Sequence, residues 1–349
     1  MSTRFNVCDL NAIESRVGAW LANCTDLMKV FEPYTDQFGT YQKNGRDPYL
    51  SFACKMYSCE YDAIYADYKG KNGSERKGDA KRKRQIAKPG VLGAIYRLSG
   101  GMLVKAHTDK CEDSKTCDCP KVKTGLWAYA DAMGVEMPQD QAHEVVRIFR
   151  DSYPEICDPK IGIWRQLEVA VTDVMHKDHP NTVRFIGPNN CVKIDRINIE
   201  GRQPMMRMQL PSGRYLHYLD ARLESTMMPW KGQDDDGNEI DVYRDSLIYA
   251  GTNQKTKQWD IWVSTHGGKL FENLVQGIAR DILAYCLLQF EERELPVVGH
   301  VHDEGITLVE DDLLSPTVHD MVEIMSTPID WAPGLLLGAD GFEGGYYHK

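Results

Sequence analysis

The stretch "PVVGHVHDEGITLVE", residues 296–310, constrains the fold more than any other. It reads as strand, tight turn, strand, and three titratable residues, His302, Asp303 and Glu304, fall in a row at the turn. Val298, Val301 and Ile306 flank the turn and are expected to hold its tip in place. One acid there could be ordinary turn chemistry, because Asp side chains bond their own backbone in turns. A second acid stands in a similar place near the other end of the chain. "RFNVCDL" alternates and ends in Asp9, and "AIESRVGAWLANCTDLMKVF" follows with Ile13, Val17, Trp20 and Leu21 at helical spacing. Asp9 thus sits where a strand hands over to a helix. If both elements share a sheet, two carboxylates on rigid strands meet, which suits a pair of Mg²⁺ ions bound together with substrate phosphates.

The bulk of the chain argues the other way at first. Its 349 residues carry a net charge of −10, which by itself disfavours nucleic acid as a partner. Distribution matters more than the sum. From Lys69 to Lys88, "KGKNGSERKGDAKRKRQIAK" holds nine Lys/Arg against Glu75 and Asp79, a footprint for phosphates or a solvated helix face. The ten cysteines are scattered, as in a reducing compartment. There is no long apolar run and no signal-peptide pattern at "MSTRFNVCDL", so a cytoplasmic location is expected, the host bacterial cytoplasm if the chain is phage-encoded.

Local patterns give an α/β (α+β) chain. Residues 69–80 read as a loop, and a helix is expected from Asp79, with Pro89 and Gly90 predicting a kink or a weakened turn. Helices are expected at 138–153 and 161–176, short strands from about 182 to 263, and a long helix at 268–290 with Leu270, Leu274, Ile278, Ile282 and Tyr285 inward. Within "RQIAKPGVLGAIY", Arg84, Lys88, Leu92 and Tyr96 follow one another at steps of four and share a helix face. Such a cationic, apolar and aromatic column suits a nucleoside triphosphate laid along a helix.

Together these pieces resemble the family A DNA polymerases, the group of bacterial DNA polymerase I and many phage replicative enzymes. "DLNAIESR" is similar to the family's motif A, "RQIAKPGVLGAIY" to motif B and "HVHDEG" to motif C, in the family's order. The resemblance covers nearly the whole chain, loosely between motifs. It implies a palm with an antiparallel sheet at 1–40 and 181–349, and helical fingers at 41–180 that include the basic segment and a Cys-rich insertion. It implies template-directed transfer of dNTPs to a primer 3′-hydroxyl with two Mg²⁺ ions. Asp9 and Asp303 would bind the metal, Glu304 would support them, and Lys88 would act as acid to the leaving pyrophosphate. Arg84, Lys88, Leu92, Tyr96, Glu14 and His302 would bind the dNTP, with Glu14 excluding a 2′-hydroxyl. Arg214, Gln276 and Asn273 would contact primer–template DNA.

Three departures accompany the resemblance. Leu92 stands where the family has an aromatic residue. Motif A begins at residue 9, so the resemblance leads to the expectation that thumb and 3′–5′ exonuclease are absent here and supplied by a second polypeptide, as in a split polymerase. The interval from Asp9 to Asp303 is long, with the excess at 40–80, 101–124 and 220–263. Within that excess, His107, Cys111, Cys117 and Cys119 could make a tetrahedral zinc site, although their spacing matches no standard finger. Two other functions are compatible with the motifs: a single-subunit RNA polymerase-like enzyme, which would not be expected to carry Glu14 or Glu304, and a non-catalytic DNA-binding half of a split polymerase.

Overall fold

The computed structural model describes residues 3–106, 117–233, 237–252, 256–259 and 261–347. The chain opens with β1 (Thr3–Leu10) and turns through Ala12, left-handed at φ 49°, into α1 (Ile13–Leu21). There follow α2 (Thr25–Met28), β2 (Tyr34–Thr35), β3 (Tyr41–Gln42), α3 (Pro48–Tyr57), α4 (Tyr61–Tyr68) and α5 (Ser74–Ala94). Next come β4 (Leu103–Lys105), β5 (Lys121–Lys123), α6 (Gly125–Ala132), α7 (Gln139–Ser152), α8 (Pro154–Cys157) and α9 (Ile163–Met175). A strand-rich segment holds β6 (Arg184–Ile186), β7 (Val192–Ile197), β8 (Met205–Gln209), β9 (Tyr215–Tyr218), β10 (Arg222–Gln233), β11 (Glu239–Gly251) and β12 (Ile261–Thr265). The last elements are α10 (Gly267–Glu292), β13 (Val297–Val301), β14 (Glu304–Glu310), α11 (Val318–Ser326) and β15 (Ala339–Gly344).

The two ends of the chain meet in one antiparallel sheet of order β13-β14-β1-β15. The α/β class and the shared sheet expected from sequence are both present. Register partners in an antiparallel ladder project to the same face. Cys8 pairs with Gly305 and Gly341, and this row faces α10 and α11. A Cβ on Gly305 would lie 2.7 Å from Phe290 of α10, and one on Gly341 2.5 Å from Val318 of α11. The missing side chains therefore let both helices press onto the sheet. The neighbouring row, Glu304–Asp9–Asp340, projects from the opposite face.

Several sequence expectations are corrected in detail. The segment 69–80 is not all loop: α5 starts at Ser74, after Gly73 at φ 100°. Its Lys, Arg and Glu residues are good helix formers, and Lys83 pairs with Asp79 one turn earlier at 2.7 Å. The helix runs on through Pro89 and Gly90, both buried. A Cβ on Gly90 would lie 2.6 Å from Val145 and 3.2 Å from Phe52, so glycine lets α5 lie close against α7 and α3. In α10, Leu270, Leu274, Ile278 and Ile282 are buried as expected, but Tyr285 is exposed. Steps of four carry the buried stripe from Ile282 to Cys286 and Phe290 instead.

Candidate active site

The β13–β14 hairpin delivers its turn to the end of β1. The Leu10 amide donates to the Asp303 carbonyl at 3.1 Å, and Asp9 is register partner to Glu304. Asp9, at the end of β1, and Asp303, in the turn between β13 and β14, therefore lie at the same end of the sheet. Asp9 is exposed and Asp303 half-buried. His302 takes the left-handed conformation at φ 60°, and its Nδ1 lies 4.0 Å from an Asp303 carboxylate oxygen. Glu304 is buried and accepts the Tyr347 hydroxyl at 2.9 Å. The flanking residues behave differently from expectation. Ile306 is buried, but Val298 and Val301 are exposed, because β13 is the edge strand and its register shifts between Val297 and Gly299. The tip is held by the Leu10–Asp303 bond and by β14.

Sequence reading missed the third acid of this row. Asp340 of β15 is the other register partner of Asp9, and it accepts Asn11 Nδ2 at 2.9 Å and Asn44 Nδ2 at 3.2 Å. Only the strand register reveals it, since no local pattern distinguishes this acid in a glycine-rich tail. Among the described residues, no group of three or more His, Cys, Asp or Glu side chains is placed to hold a metal. The sheet end carries the carboxylates of Asp9, Asp303 and Asp340, which are hard oxygen donors. Of the zinc candidates, Cys117 and Cys119 are half-buried, while His107 and Cys111 lie outside the described residues.

Glu14, in the first turn of α1, ties this end to the helices. Tyr96 Oη donates to Glu14 Oε2 at 3.2 Å and Gln276 Nε2 donates to Oε1 at 2.7 Å. Burial, reinforced by Glu14, pushes the Tyr96 phenol well above its ordinary pKa. Tyr96 itself lies just past α5, so the helical column ends in a turn. Arg84, Lys88 and Leu92 are half-buried along α5. Arg84 Nε donates to Asp47 Oδ2 at 2.7 Å, and its guanidinium lies 5.0 Å from the Tyr49 ring and 5.7 Å from that of Tyr68. Burial works against the Arg84 charge, but Asp47 outweighs it and holds the pKa above its usual value. Lys88 Nζ lies 5.9 Å from the same Tyr49 ring, whose phenol burial pushes up to about 12. Asp47, Tyr49 and Tyr68 were not singled out in the sequence.

The three residues expected to meet DNA all have partners within the chain. Arg214 donates to Asp281 at 2.6 Å and to the Gly277 carbonyl at 3.0 Å, Asn273 donates to Tyr218 at 3.0 Å, and Gln276 holds Glu14. A cavity of about 850 Å³ opens beside Arg97, the residue after Tyr96, and is lined also by Arg165, Glu168, Arg244 and His266. It flanks the far end of the column rather than the acids.

No family model matches the chain. The DNA polymerase of Bacillus phage SP02 is 28% identical over 347 residues, which is 99% of this chain and 41% of the relative. The chain therefore spans about two-fifths of the length of the curated relative it matches. Among solved structures, the POL domain of Pol1 from M. smegmatis, in complex with DNA primer-template and dNTP, aligns over 98% of this chain and 40% of that chain, at TM-score 0.44 and 14% identity. That likeness is too distant to decide the fold. Along nearly its whole length, this chain is similar to part of a phage DNA polymerase.

Proposed function

We propose that the chain is the palm and fingers portion of a family A DNA polymerase, phage type, which adds dNTPs to a primer 3′-hydroxyl under template direction. The observation that supports this most is the meeting of Asp9 with the His302–Asp303–Glu304 turn at one end of one sheet. Asp9 and Asp303 would hold Mg²⁺, which supplies charge stabilisation at the attacking and leaving oxygens. Glu304, fixed by Tyr347, keeps the turn in place beside them. Arg84 and Lys88 take the triphosphate, and Lys88 gives a proton to the departing pyrophosphate. Leu92 and Tyr96 carry the sugar and base, and Glu14, held by Tyr96 and Gln276, fills the space a 2′-hydroxyl would need. His302, exposed at the tip, faces the incoming phosphate or the primer end. Arg214, Gln276 and Asn273 line the primer–template side.

On this reading residues 1–40 and 181–349, which share the β13-β14-β1-β15 sheet, form the palm, and 41–180 form the fingers. The rest of the grip on DNA, and any exonuclease, would come from sequence outside these 349 residues, on the same or a second polypeptide; the share of the relative that is matched supports this. No helix among the described residues is long and apolar enough to cross a membrane.

Primer extension tests the proposal, run with Mg²⁺ and either dNTPs or NTPs in a preparation that contains the remainder of the polymerase. Deoxynucleotide addition is expected, and Asp303→Ala should abolish it. Ribonucleotides added as readily as deoxynucleotides would favour an RNA polymerase-like enzyme. Extension that survives Asp303→Ala would refute the assignment of the acids.

A further inference from the structure

We infer that Asp47 is a positioning residue for nucleotide phosphate: it fixes Arg84 by one edge of the guanidinium and leaves the other edge for an anion. The inference rests on the reading of α5 as a triphosphate site. A guanidinium presents five N–H donors in a planar fork. In this structure Nε is committed to Asp47 Oδ2 at 2.7 Å. The plane is bounded by Tyr49 from α3 and Tyr68 from α4, at 5.0 and 5.7 Å. Among the described residues neither Nη1 nor Nη2 donates a hydrogen bond, and the side chain is 27% exposed. The fork is thus aimed and half open, the geometry that takes two phosphate oxygens side by side. Lys88, one turn further along α5 and on the same Tyr49 ring, places a second cation beside it.

A carboxylate this close to a phosphate site would also repel the ligand, so the balance has to be weighed. The Asp47 charge is already shared. Oδ1 accepts the Tyr49 and Leu50 amides, each at 2.9 Å, at the positive end of α3. Its side chain is 22% exposed, so water screens what remains. Orientation of Arg84 therefore outweighs repulsion. The arrangement divides one carboxylate between capping α3 and anchoring Arg84.

That division supplies the test. In Asp47→Asn the amide oxygen still caps α3, since Asn and Asp are equivalent there. The amide nitrogen then confronts Arg84 Nε, donor against donor. The 349-residue chain would be titrated calorimetrically with Mg²⁺–dATP and with inorganic tripolyphosphate. Asp47→Asn should weaken both about tenfold, the order found when an outer partner of a ligating group is removed. Its thermal midpoint should stay at that of the parent. Arg84→Gln should weaken both at least as much, and Asp47→Asn should add nothing in that background. Unchanged or tighter binding by Asp47→Asn, with Arg84→Gln still weakened, would overturn the inference and leave Asp47 a bystander or a competing counter-ion. Additive effects in the double variant would overturn it too, since they would mean a role independent of Arg84. If Arg84→Gln binds as the parent does, or the parent binds neither ligand, the nucleotide-site reading fails and the inference falls with it.

Discussion

Arg16, in α1, and Arg84, in α5, are the same side chain in two opposite situations. Arg16 is 2% exposed and fully spent inside the fold. Its Nε donates to the Asn11 carbonyl at 2.7 Å, Nη1 to Leu336 at 2.9 Å and Nη2 to Asn44 at 2.7 Å, with the Phe31 ring 4.5 Å away. Burial draws its pKa down to about 10. Arg16 thereby sews the β1–α1 turn to the loop before α3 and to the approach of β15. Arg84 has one edge anchored on Asp47 and the rest of its fork turned outward. One arginine organises the acids' end of the sheet, and the other keeps part of its fork uncommitted, as the proposed triphosphate site requires. A cation inside a motif can serve either purpose, and only its partners distinguish the two.

The contrast can be broken most forcefully by removing each guanidinium. Arg16→Met should destabilise the fold by about 3–5 kcal/mol, because three backbone carbonyls lose one buried, charged donor together. Arg84→Met should leave the unfolding free energy within about 1 kcal/mol of the parent, as for a partly exposed ion pair. Equal losses in urea titrations would erase the distinction. A smaller effect sharpens the comparison at Arg97, which pairs with Glu168. Burial alone would raise the Glu168 carboxyl, but Arg97, the Gly267 amide and Arg165 outweigh it and hold its pKa below the ordinary 4.5. A carboxyl depressed in the folded state stabilises the fold above its ordinary pKa, and that contribution is lost as pH falls through the folded value. Calorimetric scans should therefore show the parent losing more stability than Glu168→Gln below about pH 4.5, by less than about 1 kcal/mol. Parallel acid limbs would mean that Arg97 adds nothing.

How much of this was legible in the sequence depended on how far each partner lies along the chain. The strand ending at Asp9, the hairpin at His302–Glu304 and the Arg84–Tyr96 column are local patterns; the strand and the hairpin appear as expected, and the column lies on α5 as far as Leu92, with Tyr96 in the turn beyond it. The acids could be paired because two strand ends with similar composition invite one sheet. Asp340 could not be found that way, because its place beside Asp9 is set by the register of β15. Asp47 escaped for the same reason: it looks like a plain helix cap before Pro48, and its bond to Arg84 spans 37 positions. The exposed faces of Val298, Val301 and Tyr285 were misjudged because apolar character alone does not reveal an edge strand, a bulge or the drift of a helical stripe. Residues 69–80 looked like a loop because charge and glycine hid a helix whose Asp79–Lys83 contact closes one turn.

The sheet end should govern chemistry and the α3–α5 corner should govern nucleotide affinity. Single-turnover incorporation of dATP into a primed template, followed as a function of dATP concentration, separates the two directly. Asp303→Asn is expected to lower the maximal rate by about a thousandfold or more, the scale of transition-state charge stabilisation, with little change in the apparent dATP affinity. Arg84→Gln is expected chiefly to weaken the apparent affinity. A maximal rate unchanged in Asp303→Asn, or an affinity unchanged in Arg84→Gln, would contradict this division of labour.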